Sequence, residues 1–123
     1  MGLGSLMATT EITHTGVKKI VMAWVSDASG DAVVQTTNIY DGKIIAVAII
    51  PGAGAVQPTN EYDLTLTDSL GIDLLLGGGA DASNTTPAII NQFLTLAVAG
   101  EKLTLTVSNA GDTKEGTLVV YLR

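Results

Sequence analysis

The chain has 123 residues, 6 Lys and Arg against 12 Asp and Glu, and no cysteine. This length fits one domain with one real core, and the missing cysteines exclude disulfides and thiolate metal sites. The net charge of -6 argues against non-specific contact with nucleic acid or an anionic membrane surface.

Charged residues make up only 15% and hydrophobic residues 46%, so a small domain would leave apolar surface exposed unless copies of itself or a larger assembly covered it. No apolar run nears the roughly 20 residues of a spanning helix. The longest, Ile44 to Ile50, has strand length.

Met1 to Gly16 has no basic start and no compact apolar stretch, so it is not a secretion signal. Leu6 stands where a myristoylation signal needs Ser or Thr. The segment is expected to be an arm, either a flexible terminus or one that orders along a neighbouring subunit. Residues 17–123 are expected to form the folded domain.

Val17 to Ser26 alternates, with Ile20, Met22 and Trp24 on one face and Val21, Ala23 and Val25 on the other. Asp27 to Asp31 is a turn built on Gly30. Ala32 to Tyr40 is a second strand, and Asp41-Gly42 is a strong signal for a hairpin into Lys43 to Ile50. That third strand is apolar on both faces and should be the most buried.

Pro51 to Asn60 is a loop. Its Gly52-Ala-Gly54 only half-matches a dinucleotide fingerprint, because Pro58 follows where a helix should run. Glu61 to Asp68 alternates again, Gly71 to Leu76 is short, and Gly77-Gly78-Gly79 breaks it. Ala88 to Ala99 fits helix or strand, with Phe93 to Val98 favoured as strand. Gly100 then turns into the C-terminal region.

There Leu103, Leu105 and Val107 alternate with Thr104, Thr106 and Ser108, and Leu118, Val120 and Leu122 with Thr117, Val119 and Tyr121. The two arms suggest a hairpin with one apolar side, which needs a second sheet to be stable. The whole cadence predicts an all-β fold, an antiparallel β-sandwich or jelly-roll-like barrel of about eight short strands. Trp24, Leu64, Leu66, Leu103, Leu105, Leu118 and Val120 are the expected core.

No catalytic constellation emerges. His14, the single histidine, lies in the expected arm with no orienting partner. The acids Asp27, Asp31, Asp41, Asp68, Asp73, Asp81 and Asp112 sit in turns. Asp27 and Asp31 have the oxygen ligands for calcium but not its loop spacing, and turn formation explains them more simply. No catalytic, cofactor or metal residue is assigned, and the chain is expected not to be an enzyme.

Three segments carry a family likeness: Trp24-Val-Ser-Asp-Ala-Ser-Gly30; Tyr62-Asp-Leu-Thr-Leu-Thr-Asp68 with Gly71-Ile-Asp-Leu-Leu75 and Gly78-Gly79-Ala80; and Leu103-Thr-Leu-Thr-Val-Ser-Asn-Ala-Gly111 with Gly116-Thr-Leu-Val-Val-Tyr-Leu-Arg123. Together, over Val17 to Arg123, they resemble small structural proteins of tailed-bacteriophage and prophage virions. The resemblance implies a non-enzymatic virion component made in the host bacterial cytoplasm. A capsid decoration (cement) protein on the head exterior comes first, and a neck, tail or fibre component is the alternative. It implies contact with the major capsid protein or other virion proteins and no cofactor. A carbohydrate-binding β-sandwich is the reading of another class.

Self-assembly would be cyclic, a trimer first and a pentamer or hexamer next. The candidate subunit interface is the second apolar face of the two strands, Ile45, Val47 and Ile49 with Val119 and Tyr121.

Overall fold

In a computed structural model, the structure describes residues 9–14, 16–91 and 97–123; the side chains of Thr13 and His14 fall outside the description. Among these residues the chain forms nine strands and one short 3-10 turn, Gly54–Val56. The strands are β1 Thr10–His14, β2 Val17–Val25, β3 Ala32–Gln35, β4 Tyr40–Pro51, β5 Asp63–Thr67, β6 Ala88–Ile90, β7 Ala97–Glu101, β8 Thr104–Ser108 and β9 Glu115–Leu122. All pairings are antiparallel. One sheet runs β1-β2-β9-β4-β6, with β7 also on β4, and the other β3-β8-β5. The expected antiparallel β-sandwich is what forms.

The core lies between the two sheets. β2 contributes Ile20, Met22 and Trp24, β9 contributes Leu118, Val120 and Leu122, and β4 contributes Ile44, Val47 and Ile49. They meet Ala32 and Val34 of β3, Leu105 and Val107 of β8, and Leu64 and Leu66 of β5. Each set is one side of a period-2 pattern, so the strands need only their own alternation to present it. All seven residues expected in the core are buried.

Several expectations change. The C-terminal arms do not pair with each other: β8 lies between β3 and β5, and β9 between β2 and β4. Their connection crosses from sheet to sheet, with left-handed backbone at Asn109, Gly111 and Thr113. Asp41-Gly42 is no hairpin either, since β4 runs straight through it. Gly42 is needed because a Cβ there would lie 2.6 Å from the carbonyl oxygen of Arg123. The second strand stops at Gln35, and Thr36 to Ile39 carries the chain to the other sheet.

Gly71 to Leu76 is turn rather than strand, and its Leu74 and Leu75 close the end of the core. Gly100, expected to turn, lies inside β7. Of Phe93 to Val98, Ala97 and Val98 are strand, while residues 92–96 lie outside the described residues. The expected arm is in part an element of the domain, because Thr10–His14 is an edge strand registered on Val17 to Val21.

Two buried polar residues fix the crossings between sheets. The Ser26 hydroxyl donates to Gly111 O and accepts from Lys114 N–H at 2.8 Å. The Thr36 hydroxyl donates to Asn38 O and accepts from Leu103 N–H at 3.0 Å. Each therefore satisfies backbone groups that leave a ladder at the point where the chain changes sheet.

Candidate functional site

Four of the turn acids, Asp27, Asp41, Asp68 and Asp73, accept hydrogen bonds from backbone N–H groups. Asp27 Oδ1 accepts from Ser29 and Asp31 N–H, and Asp68 Oδ1 from Leu70 and Ile72 N–H. Asp63 accepts from Asp81 N–H and Asn109 Nδ2, Asp41 from Gly100 N–H, and Glu101 from Ser69 N–H and hydroxyl. Among the described residues no group of three His, Cys, Asp or Glu is placed to hold a metal ion. The backbone of His14 pairs with Val17 at the end of β1.

Glu11 is the most strongly perturbed acid. Burial raises its pKa, but hydrogen bonds from the Thr9 and Tyr40 hydroxyls and from Thr37 and Asn38 N–H outweigh burial and bring it down to about 2. This carboxylate ties the edge strand β1 to the β3–β4 connection. Burial and the bond to Glu11 push the Tyr40 hydroxyl up to about 12.

Among the described residues, nothing packs over the outer face of the larger sheet. The register puts Thr10, Val21, Val119, Ala48 and Ile89 in one row across it. Ile12, Lys19, Tyr121 and Ala46 form the next row on one side, and Ala23, Thr117 and Ile50 the next on the other. Ile12, Ile50 and Ile89 are 39%, 38% and 71% exposed. Val119 is buried among its row neighbours yet does not belong to the core between the sheets.

Of the candidate interface residues, Val119 and Tyr121 lie on this face, and Ile45 is exposed where the register of β4 on β9 shifts. Val47 and Ile49 do not. They are 0% and 3% exposed, packed in the core. The register of β4 on β9 shifts between Ile44 and Ala46, so the extra residue Ile45 is a bulge and the later alternation moves by one. Val21 and Ala23 were visible as a second apolar face of their strand. Ala46, Ala48 and Ile50 were hidden by the bulge.

A pocket of about 200 Å³ opens where Ala23, Thr117 and Ile50 meet Pro51, Gly52 and Glu115. A neighbouring one of about 190 Å³ is lined by Gly52, Gln57, Asn84 and Thr85. Trp24, Tyr40 and Tyr62 are buried, so none of them is a surface for stacking on sugar rings. A second apolar patch lies on the loop after β5, where Leu70, Ile72 and Leu76 are 78%, 51% and 52% exposed.

Among the described residues no helix is long and apolar enough to cross a membrane. Comparison with family models, curated proteins and solved structures finds no match for this chain.

Proposed function

We propose that this protein is a non-enzymatic structural component of a tailed-phage virion, a head decoration protein that holds assembled capsid subunits together. What supports the reading is a pair of separate apolar surfaces on one compact sandwich, beside the resemblance of its strand-and-turn segments to such proteins. One surface is the five-strand outer face around Val119, and the other is the Leu70–Ile72–Leu76 patch. A cement protein needs two contacts, one to its own kind and one to the shell. By binding only the assembled shell it would stabilise that state through mass action. The acidic net charge of -6 suits an exterior position better than one against DNA.

The test is binding of purified protein to capsids that lack it. Saturation at hundreds of copies per particle is expected, and Ile72→Asp should abolish it without unfolding the domain. Saturation at six or twelve copies would move the protein to the neck or tail, and no binding would end the virion reading.

A further inference from the structure

The outer sheet face is polar along its length as well as apolar in its middle. At one end, beyond the Lys19–Tyr121 row, lie Lys43 and Arg123, joined through their backbones. At the other end, opposite Val25, lies Glu115, followed in the adjoining turns by Asp112 and Asp27, with the one cation there, Lys114, donating to Ala55 O. Between them stand Val21, Ala23, Val119, Ala46, Ala48 and Ile50. Val119 sits midway, with Glu115 and Arg123 each four residues from it on the same face of β9, about 13 Å away at strand rise.

We propose that this face is the contact between two copies of this chain, stacked sheet on sheet about a two-fold axis passing through Val119. A two-fold axis across the strands reverses one sheet over the other, which is the aligned antiparallel packing that sheets adopt. It brings the basic end of each copy over the acidic end of its partner, so Arg123 faces Glu115 twice. It also brings the Tyr121 row of one copy over the Ala23–Thr117–Ile50 row of the other, where the pocket of about 200 Å³ lies. A parallel stack would set like charges on like.

The size fits as well. β2, β9 and the paired part of β4 run about eight or nine residues, but β1 has 5 and β6 has 3, so at about 4.8 Å between strands and about 3.3 Å per residue the face spans on the order of 500 Å² in projection. The accessible area of a corrugated face is larger, close to the roughly 800 Å² per partner of a stable pair. The polarity thus favours a two-fold pair over the trimer expected first from the apolar excess and the family resemblance. The inference rests on the self-assembly part of the proposed function and not on the virion placement.

The chain has no cysteine, so single cysteines report the geometry cleanly. Val21→Cys, half-buried in the same row as Val119 and so on the axis, should give a covalent dimer with a short bismaleimide, whereas Ser29→Cys in the β2–β3 turn should not. Light scattering of the whole chain at about 100 μM should give twice the 12.6 kDa chain mass. Glu115→Lys alone or Arg123→Glu alone should weaken pairing by roughly tenfold, since symmetry enters each change twice, and the double variant should restore it.

A monomer at that concentration, a Val21→Cys protein that does not cross-link, or a double variant no better than the singles would each overturn the pairing. So would a monomer that pairs only once residues 1–8 are removed, which would assign the face to this chain's own N-terminal segment. Capsid binding measured separately keeps the two failures apart: a monomer that still decorates capsids refutes the pairing alone.

Discussion

Gly116 stands directly opposite Trp24 in the β2–β9 pair, and a Cβ on Gly116 would lie 2.4 Å from Trp24 Cζ2. The indole is 1% exposed and leans on Tyr62, with ring centroids 5.6 Å apart, so it has no room to retreat. Gly116→Ala is therefore expected to destabilise the fold by about 1–3 kcal/mol through overpacking. It should also change the near-ultraviolet signal of the single tryptophan. An unchanged unfolding midpoint and spectrum would show that the ring does not lie against β9.

Leu105 lies at the centre of the smaller sheet, paired with both Val34 and Leu66 and fully buried. Leu105→Ala removes contacts on both sides and leaves a cavity, for an expected loss of about 2–5 kcal/mol. Thr106→Ala, one residue on and facing outward, should cost under about 0.5 kcal/mol. Denaturant titration of the pair checks the inward face of β8.

What was legible in the sequence was local. Ile20, Met22 and Trp24, or Leu118, Val120 and Leu122, share a face whatever they pair with, so the inner surfaces and the sandwich class followed from alternation alone. Pairing is not local. Leu103 to Ser108 and Thr117 to Leu122 look like the arms of one hairpin, yet they face each other across the core in different sheets. Gly42 looks like a turn residue, but it is there for the carbonyl of Arg123, far along the chain. The bulge at Ile45 is set by register against β9, so the candidate interface of Ile45, Val47 and Ile49 mixed the two faces of one strand.

Glu11 gives the fold an acid-sensitive joint. Its pKa is lowered from 4.5 to about 2 in the folded chain, so its stabilising effect is present above pH 4.5 and is lost as pH falls towards 2. Solvent screens much of that effect, leaving about 1 kcal/mol. Glu11→Gln should lose about that amount at neutral pH and flatten the acid limb of the stability curve between those two values. Denaturant midpoints at several pH values check it, and parallel curves for the two proteins would show that Glu11 does not bind the β3–β4 connection.

Asp73 guards the free edge of β5. Its Oδ1 accepts from Leu66 N–H at 3.2 Å and Leu75 N–H at 3.0 Å, and its Oδ2 from Gly77 N–H at 3.0 Å. The same loop returns Leu74 N–H to Leu66 O at 2.6 Å, and Gly79 O to Leu64 N–H at 2.8 Å. The outward N–H groups of Leu64 and Leu66 and the Leu66 carbonyl are thus occupied, and Gly79 packs against the Leu64 carbonyl, so a neighbouring chain cannot add a strand there. Asp73→Ala leaves the Leu66 N–H without its acceptor, for a cost of about 1–3 kcal/mol. Loosening the loop also uncovers the edge, so concentration-dependent aggregation should follow in light scattering. Asp73→Asn keeps the Oδ1 acceptor for Leu66 and Leu75 but turns an amide donor toward Gly77 N–H, so it should fall between wild type and Ala in both measurements. If Asn aggregates as readily as Ala, the Oδ1 bond to Leu66 N–H does not protect the edge.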